Sequence, residues 1–242
     1  MTETLNLDSL LGALTVGSEA VINSPHEWSD YLVNVPGADG FLWQLEKEWF
    51  PAEPPSPLAE LVMEKVYDQM SAWNSGYPNL WSHTLRVAGY ALQIAPDAGV
   101  TAEQAFMVAF LHDVGKFDEM RTGVAHEEIA AEMTYRLLEK QLPRNIVSSI
   151  AMAVGKTGRG SEDMVRLLHD ADKLDKIGAS GIVRRVSQTV TLPNAFYALG
   201  RVATDLDRFP SMKHPTAQRI ADRKRTYTEL ILNLRETLPE PA

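Results

Sequence analysis

The spacing of apolar residues divides the chain at a proline cluster, Pro51, Pro54, Pro55 and Pro57, where fixed φ angles and missing amide donors break any helix. Beyond it the apolar positions recur at intervals of three and four, and no stretch alternates as a strand does, so the body of the chain is predicted to be all-α. One helix is expected from Leu58 to Trp73, ending at the turn residues Asn74, Ser75 and Gly76. The next begins near Asn79 and sets His83, Val87, Tyr90, Ala91 and Ile94 on one face, with Arg86 one turn on from His83. Thr101 and Gln104 have the spacing of a capping box at the head of AEQAFMVAFLHD, and Gly115 can end that helix. His112 and Asp113 then fall in its last turn, where a chain leaving the helix can aim adjacent side chains at one point.

His126, Ile129, Met133 and Leu137 mark the inner face of another helix, closed by Pro143. A further helix is expected from about Asn145 to Val154, followed by a loop in which Gly155, Gly158 and Gly160 surround Lys156 and Arg159. From Ser161 a helix carries Val165, Leu168 and Asp172 on one face, and a carboxylate on an apolar stripe is costly unless it is paired or bound to metal. The segment from Pro215 to Leu238 is amphipathic and rich in Arg, as a docking helix would be. Ahead of the prolines, an apolar stretch around Leu10 to Val21 and an aromatic one from Trp28 to Phe50 read as short helices, with Trp28, Trp43 and Trp49 as packing anchors. The expected division is an accessory segment and linker over 1–56, a main domain over 57–238 and a tail over 239–242.

Composition narrows the chemistry. At 45% hydrophobic and 23% charged residues the chain reads as an ordinary soluble protein. The start, MTETLNLDSLLGALTVGSE, is acidic where a secretory signal is basic, and no run approaches the roughly 20 apolar residues of a membrane span. A cytoplasmic location without a membrane partner is therefore expected. The absence of cysteine removes disulfides, thiolate metal sites and thiol nucleophiles, so any metal must be held by histidine and carboxylate. A formal charge of -9 argues against extended nucleic-acid binding. A small phosphorylated substrate remains compatible with that charge, because a bound metal and a few basic groups outweigh distant acids locally.

An HD dipeptide occurs twice, at His112-Asp113 and His169-Asp170, so the dipeptide alone identifies nothing. Its surroundings differ: the first follows a capped apolar helix and precedes Gly115 and Lys116, while the second leads within a helix into ADKLD. Taken together, WSHTLRV, LHDVGKF, VAHEEIA and LHDADKLDKIGASGIVRR resemble, in order and spacing, the HD-domain phosphohydrolases. The likeness runs over about residues 58 to 235, since TAQRIADRKRTY is similar to the closing helix of their small bacterial branch. It implies an HD-domain helical bundle and metal ligation by His83, His112, Asp113 and Asp172. Two imidazoles and two carboxylates suit a divalent Mn, Fe, Co, Ni, Zn or Mg ion. A six-coordinate ion so held keeps two positions, one for a water of lowered pKa and one for a phosphoryl oxygen. The expected activity is release of phosphate or pyrophosphate from a nucleotide or small phosphoester.

Lys116, three residues after Asp113, and Arg86 are the expected catalytic and phosphate-binding cations, although a surface ion pair is the commoner role of either. Lys173, Arg184 and Arg185 are weaker candidates, because DKLDKIG can equally be a solvated helix face. Asp170 and Asp175 flank Asp172 and fit groups that hydrogen-bond to ligands. A lone histidine such as His126 is usually a satisfied core residue, but some HD proteins use one here for a second metal, with a further histidine near the end of the following helix. This chain has Gly155 and Lys156 there, so one ion per chain is expected. Lys156 could instead offer a fixed cation to phosphate. His26 and His214, in proline contexts, read as surface residues. Two other readings stand beside the hydrolase: a nucleotide sensor without turnover, and a di-iron oxygenase, which would need ligands beyond the four. The aromatic lead segment would also suit packing on a second copy, as a homodimer.

Overall fold

The structure, a computed structural model, describes residues 54–71, 80–156, 162–178, 181, 200, 202–204, 206 and 212–235. Eight helices and no strand are found among them: α1 (Pro57–Ser71), α2 (Leu80–Ala98), α3 (Ala102–Leu111), α4 (Lys116–Thr122), α5 (His126–Leu138), α6 (Arg144–Val154), α7 (Glu162–Leu174) and α8 (Pro215–Arg235). The all-α expectation holds. The segment ahead of the prolines, with Trp28, Trp43, Trp49 and His26, lies outside the described residues, as do Gly158, Arg159, Gly160, Arg184 and Arg185.

Local chemistry sets the helix ends. Pro57 opens α1, where its missing N–H has no intrahelical partner to lose, and Ser56 Oγ accepts the Ala59 N–H at 3.1 Å. Thr101 Oγ1 accepts the Gln104 N–H at 3.2 Å while Gln104 Oε1 accepts the Thr101 N–H at 3.0 Å, the reciprocal box that the spacing predicted at the head of α3. Ser56 also donates to Glu103, tying the starts of α1 and α3 together.

Residues Ala105 to Leu111 of α3 are all buried, because α1, α2, α5, α6 and α7 pack around this helix. Phe106 and Phe110 stack at 4.4 Å between centroids, and Trp81 meets Phe110 edge-on at 5.6 Å. On α2 the predicted stripe of His83, Val87, Tyr90, Ala91 and Ile94 is fully buried. On α5 the buried seam is Ala130, Thr134 and Leu138, one position on from Ile129, Met133 and Leu137, which keep partial exposure. The smaller residues face inward there because the backbone of α5 comes close to Gly115, where a Cβ would lie 2.9 Å from Ile129 Cβ and 3.1 Å from the Ala130 nitrogen.

Two compact units share the described residues. The first comprises 54–71, 80–156, 162–174 and 212–219, and the second 175–178, 181, 200, 202–204, 206 and 220–235. Within the second, Lys224 and Thr228 of α8 are buried, and Thr228 Oγ1 accepts the Gly178 N–H at 2.8 Å while donating to the Lys224 carbonyl at 2.8 Å. No helix of the described residues is long and apolar enough to cross a membrane.

Candidate metal centre

Three helices of the first unit converge on one carboxylate. The chain leaves α3 at His112 and turns through Asp113 to Gly115, while His83 comes from the first turns of α2 and Asp172 from the last turn of α7. Asp113 Oδ2 lies 3.4 Å from His83 Nε2, 3.4 Å from His112 Nε2 and 3.2 Å from Lys116 Nζ. Asp172 Oδ1 lies 3.6 Å from His83 Nε2. The two imidazole rings meet nearly edge-on, with centroids 5.3 Å apart. The candidate ligand atoms of His83, His112 and Asp113 all lie within 4.8 Å of one another, and all three residues are buried.

The tautomer of His112 decides whether this group suits a cation. Its Nδ1 sits 2.6 Å from the Ala109 carbonyl, which can only accept, so Nδ1 carries the hydrogen and Nε2 the lone pair. That Nε2 is buried without a hydrogen bond. A lone pair shut away from water beside a carboxylate and a second imidazole is an arrangement that a divalent cation completes, with the backbone carbonyl fixing the ring as outer partners of ligating histidines do. Burial pushes the His112 pKa down, but Asp113, Asp172 and the Ala109 carbonyl outweigh it and leave it raised. Burial likewise opposes the Asp113 charge, yet His112 and His83 hold its carboxyl well below the ordinary range.

The other oxygen of Asp113 faces a second cluster. His126 Nε2 lies 3.6 Å from Asp113 Oδ1, while His126 Nδ1 lies 3.1 Å from Glu119 Oε2 and 3.2 Å from Glu127 Oε2. Lys156 Nζ reaches Glu127 Oε1 at 2.7 Å. The contact with His126 lowers the pKa of Glu119, and Glu127 is lowered by Lys156 and His126 against a burial effect that raises it. Glu119 and Glu127 were not among the residues picked out by sequence, and Glu119, seven residues before His126, carries no spacing signal.

The two aspartates of the second HD dipeptide region separate by surroundings. Asp170 is fully buried, and its Oδ2 accepts the Lys213 N–H at 2.8 Å, the His214 N–H at 3.0 Å and His214 Nδ1 at 2.9 Å. His214 is thus a buried partner of Asp170, not the surface residue its proline context suggested. The reason is a partner 44 positions away in sequence. Asp172 keeps partial exposure and faces His83. Arg86 lies one turn beyond His83 and Lys173 next to Asp172, both partly exposed.

The family model described as HD domain matches residues 80–177, the stretch from α2 to just past α7 that supplies every residue of this centre. Over that stretch the chain matches the HD domain. Solved structures share the fold. A predicted HD superfamily hydrolase from an uncultured Thermotogales bacterium superposes with a TM-score of 0.54 at 23% identity, covering 74% of this chain and 91% of its own. Bacillus subtilis YpgQ in complex with ADP gives a TM-score of 0.56 at 19% identity, over 76% of this chain and 96% of its own. A second YpgQ structure gives 0.58 at 17% identity, with the same coverage. Among curated proteins the sequence has no match. Both dipeptides, His112-Asp113 and His169-Asp170, lie within the matched stretch.

Proposed function

We propose that this HD domain is a divalent-metal-dependent phosphohydrolase acting on a nucleotide or small phosphoester. The observation that carries the reading is the buried group of His83, His112 and Asp113, with the His112 lone pair turned inward and Asp172 beside His83. These four residues would hold one ion. When bound, a divalent ion supplies Lewis acidity that lowers the pKa of an attacking water and neutralises charge on the phosphoryl oxygens. The Ala109 carbonyl keeps His112 in the ligating tautomer, and Asp113 turns its Oδ2 toward both histidines. Lys116, on the same oxygen and partly exposed, is placed to bind a phosphate as it arrives, with Arg86 and Lys173 as further cations around the opening. The ADP complex of YpgQ, a protein of the same fold, favours a nucleotide among phosphoesters.

A phosphate-release screen over nucleotides and phosphoesters, run with Mn, Co, Ni and Mg in parallel, tests the reading. Release that needs metal and is lost in folded His112→Ala and Asp172→Ala chains is the expected result, and undiminished turnover in either variant would sink it. Tight nucleotide binding without release under every metal would make the chain a sensor. Two irons per chain with oxygen consumption would make it an oxygenase.

A further inference from the structure

We infer that His169 accepts a hydrogen bond from a sugar hydroxyl of the substrate, with Asp170 as the positioning residue that fixes its ring; this rests on the phosphohydrolase reading and narrows the substrate to a nucleoside or sugar phosphate. The second HD dipeptide supplies no ligand to the metal centre, but it stands beside it. Between the buried face of α7, with Leu167 and Ala171, and its exposed face, with Glu162 and Arg166, runs a half-buried stripe of Val165, His169, Asp172 and Lys173. His169 and Asp172 are three apart on that stripe, which sets their Cβ atoms about 5–6 Å from each other. Their side chains are 38% and 26% exposed. The face that turns Asp172 to His83 therefore carries His169 at the opening of the centre, one helical turn away. One turn is comparable to the span from phosphorus to the ribose hydroxyls in a nucleoside 5′-phosphate.

The His169 ring is held from behind. Asp170 Oδ2 accepts the Lys213 N–H at 2.8 Å, the His214 N–H at 3.0 Å and His214 Nδ1 at 2.9 Å, which anchors this carboxylate to the start of α8 and leaves Oδ1 to orient His169, whose Nδ1 lies 3.2 Å away. Burial opposes the Asp170 charge, but His169, His214 and the two N–H groups outweigh it, so the carboxylate is ionised and can only accept. The hydrogen therefore sits on His169 Nδ1. The neutral ring then presents a lone pair on Nε2, while Nδ1 is the ring nitrogen with a partner among the described residues. Such a lone pair repels the oxygens of a phosphoryl group but accepts the O–H of a sugar. Lys116, Arg86 and Lys173 have the opposite polarity, since their charged groups only donate. The opening thus combines cations for the phosphate with one fixed acceptor beside them.

Binding is the test, because it needs no turnover. The full chain, labelled with ¹⁵N at histidine and assigned with His169→Phe, is titrated in Mg²⁺ with AMP, with its 2′,3′-dideoxy analogue and with inorganic phosphate. Wild type should bind AMP about fivefold more tightly than the analogue, as one neutral hydrogen bond would give. The Nε2 signal of His169 should move with AMP and stay in place with inorganic phosphate. His169→Phe, which keeps a ring but no acceptor, and His169→Ala should bind the two nucleotides alike; neither replaces a fully buried side chain, so both should fold. Equal binding of the two nucleotides by wild type, a preference retained in both variants, or an Nε2 signal moved by inorganic phosphate would overturn the inference, the last by placing the ring on the phosphoryl group. If wild type releases no phosphate from any compound with any metal, the hydrolase reading fails while the AMP pair still decides what His169 reads.

Discussion

His112 shows how one proton links the centre to pH. Its pKa is raised above 6.5 because Asp113, Asp172 and the Ala109 carbonyl outweigh burial. Without metal, a raised histidine stabilises the fold fully below its unfolded pKa, and that contribution is lost as pH rises through the folded value. With metal the sign reverses, since the ion must displace the His112 proton. Apparent Mn²⁺ affinity, measured by competition titration at pH 6, 7 and 8, should therefore fall about tenfold per pH unit below the His112 pKa; a flat profile would show that no such proton is displaced. Asp170 carries a different charge argument. Burial opposes its ionisation, but His169, His214 and the N–H groups of Lys213 and His214 hold its pKa below 3.8, so its stabilisation is present above that pH and is lost as the pH falls through the lowered value. Asp170→Ala strands two buried donors of His214 and the part-buried Lys213 N–H, and should cost roughly 3 kcal/mol in urea unfolding. A change under about 1 kcal/mol would mean that water replaces the carboxylate. Neither the pairing of Asp170 with His214 nor the contacts of Glu119 with His126 were legible in sequence, since each depends on how separate segments meet, whereas the place of His83 on a helix face and of His112 and Asp113 at a helix end was legible because local pattern defines both.

At the scale of elements, the sequence was most informative where one residue alone sets a boundary. The Thr101 box, Pro57 and the apolar periodicity of α2 all act within a few residues and fall where expected. The face of α5 did not, because its rotation is set by a neighbour: Gly115 admits the α5 backbone so closely that small side chains take the seam. Two glycines near this junction separate two physical causes. Gly115 has an ordinary φ of -85°, but a Cβ there would lie 2.5 Å from the His126 carbonyl oxygen, and a backbone atom cannot swing aside. At Gly123 an added Cβ would meet nothing within 4 Å, but its φ is 74°. Gly115→Ala should cost about 2 kcal/mol by overpacking and shift the turn that carries Asp113, so both melting temperature and phosphate release fall. Gly123→Ala should cost about 1 kcal/mol through its backbone while kcat stays unchanged. Equal loss of activity in both would mean that α4 itself, rather than the approach of α5, sets the site.

The whole molecule carries a formal charge of -9, and a phosphorylated substrate is an anion. The two repel at long range even if Lys116, Arg86 and a bound ion attract at short range. Salt distinguishes these ranges, because the Debye length falls from about 30 Å at 0.01 M to about 10 Å at 0.1 M and exposed charges beyond it drop out. At saturating metal, kcat/KM for a nucleotide should therefore rise, on the order of twofold to threefold, between those ionic strengths and then level off as only the local cations remain felt. Metal association should show the opposite sign, since the same net charge draws a divalent cation in and salt weakens that pull. Stopped-flow metal binding and steady-state kinetics over one KCl series would read both. A kcat/KM that falls from the lowest salt upward would mean that the cations around Asp113 set the field a substrate meets well outside the site, and that the surface acids lie too far from its path to matter.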